Sequence, residues 1–207
     1  MRATAKASLS NNDYEGSLLV VQDVLQVLND DGQKANAIYG LQGGNEVTLR
    51  IADKNTNDQG SDNGKFPDLT KLETGDILCY ATNAYGEIAA WSVVYNNTRD
   101  KKYAGQLLSK GEGYTSLMSA TCTVLKGTVD YMASDLLTVN LGSGTMGTSV
   151  SKWSGVTVYL IDRDKGEVTI TDSNAILPRN FYNNISGSEV VVRTSRNVVS
   201  EVMIYED

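Results

Sequence analysis

Residues 74–95 read TGDILCYATNAYGEIAAWSVVY, and residues 186–205 read SGSEVVVRTSRNVVSEVMIY. In both, a Gly-containing turn leads into a strand-length run, a polar reversal follows, and a second run ends in Tyr. Gly75 aligns with Gly187, Thr82 with Thr194 and Tyr95 with Tyr205, the second copy having a hairpin two residues shorter. β-Branched and aromatic residues fill the runs, while Asn, Gly and Ser fill the reversals, so each copy reads as a β-hairpin. The likeness extends upstream. VVQDVLQVLNDDGQKANAIYGLQGG (20–44) lies over TVLKGTVDYMASDLLTVNLGSG (123–144) as a long strand, a polar turn and a strand ending in a Gly-rich turn.

Repetition of this kind predicts an all-β chain of two tandem small antiparallel β-barrel or β-sandwich modules. The expected boundaries are an N-terminal arm at 1–16, module 1 at 17–96, a linker at 97–118 and module 2 at 119–207. Further turn signals at NDDG (29–32), QGGN (42–45), DRDKG (162–166) and TSRN (194–197) separate the strand runs, and Pro67 and Pro178 fall in connections. Gly105, Gly111 and Gly113 interrupt 103–118, which reads as linker with at most one short helical turn. The other helical candidate is a single turn at 182–187.

Composition removes function classes. Among 207 residues, 18 Lys and Arg oppose 25 Asp and Glu, a net charge of −7, which argues against a nucleic-acid partner. No apolar run reaches the roughly 18 residues of a membrane span, and the opening MRATAKASLSNNDYEGS lacks the apolar core of a signal peptide. His is absent, which takes away Ser-His-Asp and Cys-His catalysis and His-ligated zinc. Cys79 and Cys122 each lie in a β-like run and read as small buried apolar residues, a disulfide between them being the alternative in an exported chain.

The local motifs resolve toward structure. GSGTMG (142–147) fits G-x-G-x-x-G after a strand, yet TSVSKWSG follows where a dinucleotide site needs a helix, so it reads as a hairpin loop and no cofactor is expected. ADKNTNDQGSDNG (52–64) gathers Asp53, Asn55, Asn57, Asp58 and Asp62, oxygen donors of the kind Ca²⁺ takes. It breaks the EF-hand pattern, with Asp58 where Gly is needed and Gly64 where Glu is expected. A solvated loop tip is the main reading and an irregular Ca²⁺ site the alternative. Asp162, Asp164 and Glu167 share one turn and read as solvated charges rather than a catalytic pair, as do Asp30 and Asp31. No catalytic residues are expected. Trp91, Trp153 and the 11 tyrosines are strand-packing residues or a stacking surface for glycan. Asn96-Asn97-Thr98 and Asn184-Ile185-Ser186 are sequons expected by chance in an Asn-rich chain.

ETGDILCYATNAYGEIAAWSVVY, and VTVYLIDRDKGEVTITDSNAIL followed by GSEVVVRTSRNVVSEVMIY, resemble β-rich regions of large Firmicute surface proteins that carry S-layer homology domains. The likeness covers about residues 36–95 and 124–205, while the helical S-layer homology domain itself is missing. The resemblance implies a non-enzymatic structural module of a bacterial surface layer or extracellular assembly that associates with itself or with other surface proteins. A phage virion part (tube, decoration or fibre) is the alternative setting, and a glycan-binding module the third. Residues 1–16 and the linker are the expected contact surfaces.

Overall fold

A computed structural model describes residues 18–57, 68–108, 117–118, 121–142, 144–151 and 153–207. Module 1 holds β1 (Leu19–Leu28), β2 (Lys34–Gln42), β3 (Asn45–Asn57), β4 (Ile77–Thr82) and β5 (Ile88–Tyr95). After one helical turn, α1 (Asn97–Asp100), come β6 (Gly105–Leu108), β7 (Cys122–Met132), β8 (Leu136–Asn140), β9 (Met146–Val150), β10 (Thr157–Asp162), β11 (Glu167–Thr171), β12 (Glu189–Ser195) and β13 (Val198–Glu206). The chain is thus all-β in two modules, and the arm at 1–16 lies outside the described residues.

In module 1 the strands run β1-β2-β3-β5-β4 and β4 returns to β1 through Leu19–Leu78 and Val20–Ile77, closing the ring. Module 2 is an eight-stranded sheet in which β9 also meets β13. That pairing makes β7-β8-β9-β13-β12 the counterpart of the first ring, strand for strand. The register agrees in detail. Tyr95 pairs with Ile77 as Tyr205 pairs with Glu189, and Thr82–Ile88 corresponds to Thr194–Val199. Both long first strands bulge at one place, between Val21 and Asp23 and between Val129 and Tyr131. The two-residue difference between the copies is divided: one residue is missing from the hairpin turn, and one from the bulge between Ile77 and Leu78 pairing that module 2 lacks.

Several expectations are corrected. The modules are not purely antiparallel, since β3 runs parallel to β5, β9 to β13, and β10 to β13. Closing a five-stranded ring with this connectivity brings the third strand beside the fifth in the same direction, which period-2 patterning cannot announce. The expected linker contributes strand β6, which pairs with β7. Residues 182–187 form no helix; Asn180 and Ile185 bridge in antiparallel fashion across a turn. Gly75 and Gly187 align in register but differ in surroundings. Gly75 has φ +87° beside Ile161, whereas a Cβ on Gly187 would stand 1.9 Å from the Val129 carbonyl oxygen.

Burial explains why the deciding strands read as continuous apolar runs. Leu19, Val21, Leu78 and Val93 fill the interior of module 1, and Val190, Val192, Val202 and Ile204 that of module 2. Their neighbours of opposite parity, Val20, Ile77, Cys79 and Val94, with Tyr95 brought to the same side by the bulge beside Ile77, form with Val191, Met203 and Tyr205 a third apolar layer between the modules. Strands buried on both faces lose the apolar-polar alternation of a half-exposed sheet.

Candidate functional site

The densest constellation of polar side chains lies where the modules meet. Tyr95 and Tyr205, the matching last residues of the two copies, face each other with ring centroids 5.0 Å apart and planes tilted by 55°. Tyr205 donates to the Gly75 carbonyl at 2.7 Å. Over Tyr205, at 4.7 Å from its centroid, sits the guanidinium of Arg163. It comes from the β10–β11 turn, where Asp162 accepts the Lys165 N–H and fixes the reversal.

Arg163 uses every direction its planar head offers. Nε donates to Asn97 Oδ1 at 2.9 Å, Nη1 to Glu189 Oε2 at 3.2 Å and Asp207 Oδ1 at 3.1 Å, and Nη2 to Glu189 Oε1 at 2.7 Å and the Tyr95 hydroxyl at 3.2 Å. Its side chain is 7% exposed. Burial opposes the charge, but Glu189 and Tyr95 outweigh it and hold the guanidinium charged. Burial also works on Glu189, yet Arg163 and Lys126 keep its carboxyl below its ordinary value. Lys126 Nζ meets Glu189 at 2.9 Å and donates to the Lys101 carbonyl at 2.8 Å, which ties the segment after α1 to β7. Burial pushes the Tyr95 phenol up to about 12, so it serves as a neutral hydroxyl.

A second polar set flanks the same apolar layer. Glu201, 1% exposed, accepts from Arg193 at 3.2 Å and from the Leu18 N–H at 3.0 Å. Tyr159 accepts the Gly44 N–H at 3.3 Å across the junction. The β1 bulge turns Gln22 sideways, and its amide donates to Gly166 at 2.8 Å and accepts from Val168 at 2.6 Å, continuing the edge of β11. These contacts position and lock; they leave a guanidinium, carboxylates and phenols paired with one another rather than aimed into a cleft.

Asp76 is a second buried acid at the junction, fully enclosed at the start of β4. Oδ2 accepts from the Glu73 N–H and Asn96 Nδ2, each at 3.0 Å, and Oδ1 from the Asn97 N–H at 2.7 Å. Burial pushes its carboxyl up to about 6, the three donors pulling the other way. Because the folded value lies above the unfolded one, its stabilising contribution is full below the ordinary aspartate value of 3.8 and is lost as pH rises through about 6. The span corresponds to an order of 3 kcal/mol. Asp76→Asn should therefore cost about 1–3 kcal/mol at pH 4 through one unpaired donor, and because it also abolishes this slope the cost should vanish or reverse by pH 7. Urea unfolding of both proteins from pH 4 to 7 measures it, and a constant difference across that range would contradict the assignment.

The residues singled out from sequence are scattered. Asp53 and Asn55 belong to strand β3 rather than a loop tip, since β3 pairs with β5 through Thr56–Ala90 and Asn57–Trp91. Asn55 Oδ1 is occupied by the Trp91 indole N–H at 2.9 Å, while Asp58 and Asp62 lie outside the described residues. Among the described residues, no three His, Cys, Asp or Glu side chains come together as a metal cage. Asp162 and Asp164 stay on the turn, with the Asp162 carboxyl held below its usual value by Lys165. Asp30 meets Arg50 at 3.3 Å, and Asp31 is exposed. GSGTMG runs directly into strand β9, which begins at its Met146. Cys79 and Cys122 are buried and form no disulfide with each other, and burial pushes the Cys122 thiol up. Trp91 is 6% exposed and Trp153 donates to the Ala133 carbonyl, so neither is an open stacking platform. Asn96 of the first sequon is buried, while Asn184 is exposed with φ +52°. Among the described residues, no helix is long and apolar enough to cross a membrane.

Sequence reading passed over Arg163, Glu189 and Asp76, whose only signal was charge at the end of an apolar run or inside a turn. It also passed over a set of large apolar side chains in the open: Leu28, Tyr85, Phe181 and Tyr182 are 69%, 81%, 67% and 101% exposed. Compared with known proteins, the chain stands apart: no family model, no curated protein and no solved structure matches it.

Proposed function

We propose that this chain is a non-enzymatic structural module that works by associating with copies of itself or with other components of a bacterial surface layer or extracellular assembly, a virion being the alternative setting. The observation that carries the reading is the exposure of large apolar side chains on turns that are themselves tied down, on a body whose two modules are joined by the Tyr205–Gly75, Arg163–Tyr95 and Leu18–Glu201 hydrogen bonds. Apolar side chains held rigidly in water favour association, because ordering them on contact costs little further entropy. The resemblance to β-rich regions of Firmicute surface proteins supports the same reading. In an oxidising setting the two thiols are protected by burial.

Sedimentation velocity over a concentration series, with electron microscopy of the same samples, tests the proposal. The expected result is a concentration-dependent species larger than one chain. A protein that stays monomeric at about 1 mM, where even a contact of about 4 kcal/mol would be half populated, would defeat it.

A further inference from the structure

Between β11 and β12 the chain leaves the sheet as a hairpin finger. Its base is fastened by the Leu177 N–H to Ser188 Oγ at 2.9 Å, the Ser188 N–H to the Leu177 carbonyl at 2.8 Å and the Arg179 N–H to the Val129 carbonyl at 2.9 Å. Its tip is closed by the mutual backbone bonds of Asn180 and Ile185 at 3.0 and 3.1 Å, and by Asn180 Oδ1 accepting the Asn183 N–H. This built element holds Leu177, Phe181, Tyr182 and Ile185 in the open, the least exposed of them at 58%. Arg179, the one charged residue between 173 and 188, lies 4.9 Å from the Phe181 ring centre.

A second exposed apolar pair stands on module 1. Leu28 at the β1–β2 turn and Tyr85 at the β4–β5 turn belong to reversals held together by Arg50, which reaches Asp30 at 3.3 Å and Glu87 at 3.6 Å. The turns carry Asp30, Asp31 and Glu87 against Arg50 and Lys34, the latter opposite Leu28 in the ladder, and among the described residues no cation pairs with Asp31. The patch thus keeps a net negative charge where the finger carries a positive one.

On the basis of the self-association reading, we propose that the finger of one copy docks on the paired β1–β2 and β4–β5 turns of a second copy, head to tail. Charge selects this occupant. Finger against finger would bring two Arg179 side chains together, and turn patch against turn patch would bring acidic groups together, whereas finger on turn patch sets Arg179 against Asp31. Size fits as well. Aromatic side chains bury about 150–250 Å² each, so Phe181 and Tyr182 with Leu177 and Ile185 supply much of the about 800 Å² that one side of a stable interface covers. A contact between two different patches repeats from copy to copy and yields a chain or a ring.

Two variants of the whole protein test this. One carries Phe181→Ser and Tyr182→Ser, the other Leu28→Ser and Tyr85→Ser; all four side chains are mostly exposed, and an unchanged melting temperature verifies the fold of each. By sedimentation each variant alone should lose association at least tenfold, and an equimolar mixture should give a two-chain complex that grows no further, because one good finger meets one good turn patch. Association of either variant alone at wild-type strength overturns the proposal while leaving self-association standing. A mixture no larger than its parts overturns it too. A monomeric wild type removes both readings together.

Discussion

Replacing Arg163 with Ala is expected to destabilise the protein by about 3 kcal/mol or more, the lower end of what losing one partner of a buried ion pair costs. Five acceptors each lose a donor at once, although Glu189 keeps Lys126 and is partly open to solvent, and Asp207 keeps Lys101. Arg163→Lys should recover little, since a point-like ammonium cannot serve Asn97, Tyr95, Asp207 and both Glu189 oxygens. Acid should partly imitate the substitution. The Glu189 folded value lies below the ordinary glutamate value of 4.5, so its contribution is present above that pH and is lost as pH falls through the lowered value, opposite in sign to Asp76. Urea unfolding at pH 7 reads the effect, and because Arg163 joins the modules, the single transition should broaden or split. A loss under about 1 kcal/mol with an unchanged transition would show the network to be ornamental.

Tyr205→Ala should cost about 4 kcal/mol, in the range of large aromatic deletions from a core. Tyr205 is 4% exposed, packs on Tyr95, lies under Arg163 and donates to Gly75. Tyr205→Phe isolates the last of these and should cost about 1–3 kcal/mol, because the buried Gly75 carbonyl loses its donor. A double-mutant cycle of Tyr95→Leu and Tyr205→Leu should return about 0.5–1.5 kcal/mol of coupling, the value of a ring pair beyond burial. Additive effects would mean that the rings meet without interacting. The two positions were legible as a repeat; their mutual contact was not, since nothing in two matching sequences says that the matching residues touch.

Local chemistry made much of the architecture readable. Val, Ile, Thr and Tyr runs marked strands, and Asn, Asp and Gly at QGGN, NAYG, DRDKG and TSRN marked reversals, because φ preferences and strand packing act between neighbours in the chain. Arg196 and Asn197 in TSRN do take positive φ, and Gly86 and Gly166 do likewise in their turns. The copies at 74–95 and 186–205 were visible because a duplicated hairpin keeps its turn and its terminal Tyr. The exposed finger, by contrast, was hidden in a stretch whose only reading was a helical turn at 182–187, since exposure belongs to the folded surface.

By itself, then, the sequence determined the all-β class, the tandem organisation and most strand positions, each of which follows from interactions a few residues apart. Only the tertiary structure decided that β3 lies parallel to β5, that β6 joins the second sheet, and that the outer faces of β1, β4, β12 and β13 form a common apolar layer. It alone turned Arg163, one charge among several in a turn, into the clamp between modules. Those outcomes depend on which strands meet after chain closure, and on the low-dielectric layer created when they do, in which an ion pair must be complete or costs heavily.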